Sequence, residues 1–172
     1  YCMPNMTIMG LAAILGKNCA NFEPLHLRNT GVVINAYDLC GCLYKPLPSS
    51  FGGEYLAFYL EFQGLLENFK KCNITPYFVL PGCNEFRGEE LQHDLYKMVT
   101  RLKSFIEPDS HHSDDYMMPF LSTHVLREAF EHFNLAHVRP TYWSPRAAIA
   151  LAAHMRCPLL TCMSDHFLMT SR

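Results

Sequence analysis

No apolar run in this chain approaches the roughly 20 residues that a membrane-crossing helix needs. The most apolar early stretch, 9–15, is too short and lacks the cationic flank of a secretory leader. An excess of one charge sign is missing too. Fourteen Lys and Arg against sixteen Asp and Glu leave a net charge of −2, so nothing draws the whole chain toward nucleic acid and any such contact is local. The eight cysteines, at 2, 19, 40, 42, 72, 83, 157 and 162, form no C-x-x-C pair and no Cys/His zinc spacing. Four lie beside apolar strand or helix positions. The set reads as reduced, mostly buried thiols of a cytosolic or nuclear protein, with a disulfide framework as the lesser alternative. Internal repeats and low-complexity segments are absent.

What is present is an alternation of strand-like and helix-like segments over 172 residues, about one domain by length and enough to bury a sizeable core. The run Val32-Val33-Ile34 reads as a strand buried on both faces. Residues 55–71 are apolar around most of their circumference, as in a helix sandwiched between layers. Residues 75–80 form a strand stopped by Pro81-Gly82. From 89 to 105, Leu91, Leu95, Met98, Leu102 and Phe105 recur at helical spacing with charges opposite, which predicts an amphipathic surface helix. The polar run 108–118 is a loop. Residues 122–133 are helical, with Val125, Leu126, Ala129, Phe130 and Phe133 on one side. A short strand follows at 136–139. Ser144 as N-cap and Pro145 in the first turn open an Ala-rich helix, and 159–162 is the last strand. The pattern predicts an α/β fold in three layers, with a mostly parallel central sheet joined by right-handed crossovers and helices on both faces. Residues 1–9 are expected to be an N-terminal segment and 10–172 one domain, incomplete at its C-terminal end. The first residue, Tyr1, is not expected to be the natural start.

In such sheets ligands sit beyond the carboxyl ends of the strands. Those ends are predicted at Asn35, at Pro81, at 141–144 and at 163–165. Asn35 stands out, because a hard divalent cation bound there wants an anionic oxygen and an amide brings no charge.

Several motifs together carry a resemblance: MTIMGL near the start, VVINAYDL, FGGEYLAF, CNITPYFVLPG, the 120–133 helix and CPLLTCMSDHF. From about residue 6 to 167 the chain resembles the N-terminal nuclease-like domain of the asteroid family, a branch of the flap endonuclease/XPG superfamily with a PIN-like fold. The resemblance implies acidic strand ends that bind two divalent cations, Mg or Mn, which activate a water and stabilise the leaving oxygen of a phosphodiester. Carried over by position, the first aspartate falls on Asn35 and the second on Pro81. The acidic pair opening the next helix falls on Pro145 and Ala147. Of two aspartates after the last strand, one falls on Met163 and the other is retained as Asp165, the one acidic match to the family's pattern and so a catalytic and metal-binding candidate. Thr7 stands where the family's early glycine belongs. Five such losses, with Arg146 adding positive charge, predict that two-metal cleavage is lost or very weak. A one-metal site on Asp165 and rearranged groups stays open.

Nearby acids are weighed as replacements. Asp38, three residues past Asn35, is a weak metal candidate against a solvated or capping role. Glu85 reads as an exposed loop acid, and Asp165 itself as a ligand or an N-cap. His111-His112-Ser113-Asp114-Asp115 reads as a solvated loop, and Cys40-Gly-Cys42 as structural. Lys70-Lys71 complements a helix dipole. The candidate nucleic-acid contacts are Lys97, Arg101 and Lys103, against a solvated face balanced by Glu89, Glu90 and Asp94. Trp143 joins them, with Tyr142, as a stacking group or a plug of the cleft.

Two functions follow as expectations. One is a nuclease-fold protein with a degenerate metal site, a non-catalytic binding module for single-stranded or overhang DNA or for a protein partner, needing no cofactor. The other is a Mg- or Mn-dependent, structure-specific single-stranded DNA endonuclease of DNA repair. No membrane partner is expected, and the resemblance favours the nucleus over the cytoplasm.

Overall fold

The computed structural model describes residues 23–48, 53–82, 118–141 and 145–163, together with positions 11, 17, 92, 95, 96, 98–100, 102, 103 and 166. The elements are β1 (Thr30–Asn35), α1 (Ala36–Tyr44), α2 (Tyr55–Lys71), β2 (Ile74–Val79), α3 (Ser122–His132), β3 (His137–Val138), α4 (Pro145–Met155) and β4 (Leu159–Leu160).

The four strands make one parallel sheet in the order β3-β2-β1-β4. Its register aligns Asn35 with Val79, Val79 with Val138, and Ile34 with Leu160. Alternation along β1 divides the interior. Val32 and Ile34, with Phe78 and Leu80, enter a core built with α1, α2 and α3. Val33 and Val79 enter a second core with Ala148 and Ala152 of α4. This is the expected three-layer α/β arrangement. Chain order runs outward from β1 through β2 to β3 and then returns to the other side of β1 as β4. The direction of winding therefore reverses between β1 and β4, and a reversal of this kind opens a crevice at the carboxyl ends of the two strands.

The larger core is aromatic. Phe62 of α2, Phe78 of β2 and Phe130 of α3 are fully buried. The Phe78 and Phe130 rings stack at 4.2 Å, and Phe62 meets them at 5.9 and 5.6 Å. In α1 the buried residues Ala36, Leu39, Cys40 and Tyr44 form one stripe at helical spacing. The Tyr44 hydroxyl accepts from the Glu54 backbone N–H and so ties α1 to the start of α2.

Three helices end alike. Asn73, Asn134 and Arg156 follow α2, α3 and α4 with φ of 52°, 50° and 52°. After α3 and α4, the next residue donates back five positions, Leu135 N–H to Phe130 C=O and Cys157 N–H to Ala152 C=O. This is the left-handed helix stop that turns the chain directly into a strand. Asparagine tolerates that conformation; arginine does so at a cost.

Some expectations need correction. Helix α2 is not sandwiched: Phe58, Phe62 and Leu66 are buried, but Leu56 and Leu60 are 71% and 55% exposed, so it covers the sheet from outside. The predicted amphipathic helix is helical at its described positions, yet Leu95, Met98 and Leu102 are 50%, 52% and 43% exposed, so this apolar stripe is not a core-packed face. The strands β2, β3 and β4 stop at Val79, Val138 and Leu160, one to two residues before their expected ends.

Replacing Phe130 with Ala is expected to cost about 4 kcal/mol, since the cavity would open among rings that cannot collapse together. The exposed Arg156→Gly change is expected to add about 1 kcal/mol by relieving the left-handed backbone. Urea denaturation of both variants measures the two effects.

Candidate functional site

The carboxyl ends of β1 and β4 bring Asn35 and Met163 together as the topology predicts, but their bonding is turned inward. Asn35 is 7% exposed and is the N-cap of α1. Its Oδ1 accepts from the Tyr37 backbone N–H at 3.1 Å, satisfying a donor that the first helical turn leaves over. Its Nδ2 donates to the Met163 thioether sulfur at 3.6 Å. Two positions at which the resemblance implies metal-binding aspartates thus hold an amide and a thioether in contact with each other.

Asp38, expected to be solvated or capping, is half-buried and bonds to the exit of β4. It lies in the first turn of α1, and its Oδ2 accepts from the Thr161 hydroxyl at 2.6 Å and from the Cys162 backbone N–H at 2.9 Å. A carboxylate receiving two such donors clamps the exit of β4 to the start of α1. Thr161 Oγ1 also accepts from the Met163 backbone N–H at 3.2 Å. His166 Nδ1 lies 3.3 Å from that hydroxyl and 3.1 Å from the Met163 carbonyl. His166 Nε2 is buried with no hydrogen-bond partner among the described residues.

One helical turn beyond Asp38, Cys42 Sγ lies 3.3 Å from Cys162 Sγ. Burial pushes the Cys162 thiol up to about 11, and adjacent Cys42 and the Asp38 charge push the same way. Both thiols are exposed, whereas Cys40 is fully buried and its thiol is pushed up to about 12, chiefly by burial. The expectation of mostly buried thiols therefore holds for Cys40 and fails for this pair.

Pro81 is half-buried just past β2, Ala147 is half-buried and Arg146 exposed in the first turn of α4, and Pro145 opens that helix. None of Asn35, Pro81, Pro145, Ala147 and Met163 offers an anionic oxygen. Among the described residues, no group of three or more His, Cys, Asp or Glu is placed to hold an ion. The described donors do not fit a hard divalent cation, which needs several anionic oxygens. Lys103 is exposed. Asp165, Lys97, Arg101, Trp143, Tyr142, Glu85, Thr7 and the His111 to Asp115 loop lie outside the described residues. Sequence reasoning missed Thr161, Cys162 and His166; the signal was that TCMSDH follows the last strand directly. No helix among the described residues is long and apolar enough to cross a membrane.

The clamp makes a measurable claim. Asp38→Ala is expected to cost about 1 kcal/mol, because it removes the acceptor of a half-buried hydroxyl and of an exposed N–H, and Asn35→Ala about 1 kcal/mol through the lost cap. Asn35→Asp keeps the cap but loses the Nδ2 donor and buries a charge beside Met163, and is expected to cost about 2 kcal/mol. Chemical denaturation of the three variants ranks them, and an Asn35→Ala variant as stable as the parent would show that the cap is not what Asn35 supplies.

No protein-family model matches the chain. Protein asteroid of Drosophila melanogaster is 26% identical over 170 residues, covering 95% of this chain and 19% of that protein. The single-strand DNA endonuclease ASTE1 of Homo sapiens is 28% identical over 163 residues, 93% of this chain and 24% of that protein. Its Mus musculus counterpart is 28% identical over 149 residues, 84% and 22% respectively. The chain spans about a fifth to a quarter of the length of the curated relatives it matches. Over nearly all of its length the chain is thus similar to the asteroid and ASTE1 proteins, at 26–28% identity.

Proposed function

We propose that this is a nuclease-fold domain of the PIN-like type whose crevice no longer carries metal-dependent cleavage, and that it acts as a non-catalytic module holding single-stranded or overhang DNA in the nucleus. One observation carries the reading: at the β1/β4 reversal Asn35 and Met163 bond to each other, 3.6 Å apart, in place of two facing carboxylates. The carboxylate beside them, Asp38, is occupied by two protein donors. Magnesium or manganese would have to displace a helix cap and a clamp to gain a single charged ligand, which is a poor exchange for a strongly hydrated cation. DNA is favoured as the partner because relatives carry the name single-strand DNA endonuclease. Lys103 is exposed and, with Lys97 and Arg101 near it in sequence, supplies cations suited to phosphate oxygens, while Trp143 supplies a ring on which a base can stack.

A second reading, a Mg- or Mn-dependent single-strand endonuclease of DNA repair, is favoured by those same names and by the retained Asp165. The experiment that separates the two is incubation of labelled single-stranded and 3′-overhang DNA with the protein in Mn²⁺, beside Asp165→Asn, with fluorescence anisotropy of the same DNAs in Mn²⁺ and in chelator. Binding without cutting, indifferent to chelator, is expected. Each of Lys97→Glu, Arg101→Glu and Lys103→Glu should lower the salt dependence of binding by about one charge. Metal-dependent cutting that disappears in Asp165→Asn would establish the endonuclease instead. Neither binding nor cutting would point to a protein partner.

A further inference from the structure

We propose that Cys42 and Cys162 form a redox-sensitive pair that closes into a disulfide and staples α1 to the exit of β4. The two residues are 120 positions apart in the chain, yet their sulfurs lie 3.3 Å apart. Closing to a bond of about 2.05 Å asks for little more than an ångström of movement, within reach of side-chain rotation. Both thiols are exposed and so open to a soluble oxidant. Neither is held by chance. Cys42 sits one turn beyond Asp38 on α1, and the Cys162 backbone N–H is bonded to the Asp38 carboxylate at 2.9 Å. The clamp therefore presents one thiol to the other, and a preset geometry of this kind raises the rate of the intramolecular step. The neighbouring Cys40 takes no part, being fully buried in the core.

The chemistry needs an oxidant, here a small disulfide such as oxidised glutathione. One cysteine thiolate attacks a glutathione sulfur, forming a mixed disulfide and releasing one glutathione. The second cysteine thiolate attacks the protein sulfur of that adduct and releases the other. Two protein thiols are oxidised, one disulfide is reduced to two thiols, and the protons lost by the cysteines end on the released glutathiones. In a reducing compartment the pair stays open; in an oxidising one the staple forms. The bridge joins the two sides of the crevice whether or not that crevice binds DNA.

The test uses the reduced protein exposed to oxidised glutathione, followed by non-reducing peptide mass spectrometry and thermal unfolding. The expected product is a peptide cross-linked between Cys42 and Cys162, with a melting midpoint raised by about 10 °C and restored by dithiothreitol. Cys42→Ser and Cys162→Ser should each keep one stable glutathione adduct at the remaining thiol and gain no melting shift, and Cys72→Ser should still form the bridge. Separate glutathione adducts on both cysteines of the parent, or a bridge from either to a different cysteine, would overturn the proposal.

Discussion

Val32 and Ile34 fill one core and Val33 the other, and β1 is hydrogen-bonded along both edges, to β2 and to β4. From Val32 to Asn35 it is buried on both faces. Every layer takes its position from this strand: the aromatic cluster of Phe62, Phe78 and Phe130 rests on one side, the small residues of α4 on the other. Because the winding reverses at β1, the last residue of this largely buried strand necessarily stands at the crevice. Asn35 is therefore held by the most constrained part of the molecule, and what it bonds to reflects the fold more than local freedom of the side chain.

At that point the chain turns potential ligands into structure. A carboxylate pair facing a cation repels itself when the cation is absent; an amide donating to a thioether does not. Capping by Asn35, the Asp38 clamp and the Met163 contact all bring α1 and the exit of β4 together, where a metal site would hold them apart around an ion. The resulting crevice gains stability from groups that open sites commonly leave unsatisfied, in keeping with the trade between stability and activity at functional sites.

Much of this was legible in the sequence. The buried run of β1 and the helix 55–71 followed from composition and periodicity, and the parallel three-layer order followed from alternation. The carboxyl-end prediction brought Asn35 and Met163 to one place. What escaped has physical causes. The ends of β3 and β4 depend on pairing with strands distant in the chain, which no local pattern records. Leu95, Met98 and Leu102 keep helical spacing, yet a stripe shows only that a face is apolar and not that something covers it. The bonding of Asp38 to Thr161 and the meeting of Cys42 with Cys162 link positions more than a hundred residues apart. Asp38 looked like a capping residue because its local context is the first turn of a helix, and its long-range donors decided otherwise.

The Thr161 hydroxyl carries a single proton, and at 2.6 Å from a carboxylate that proton belongs to Asp38. The oxygen can then only accept from its other neighbours, which include His166 Nδ1. The Met163 carbonyl can only accept as well, so Nδ1, facing both oxygens, presents N–H, and the carboxylate and the carbonyl call for the same tautomer of His166. All the dipoles in this short chain point one way, from ring to hydroxyl to carboxylate, and each strengthens the next. Loss of the negative charge at one end would free the hydroxyl proton to turn, while the Met163 carbonyl would still hold the ring.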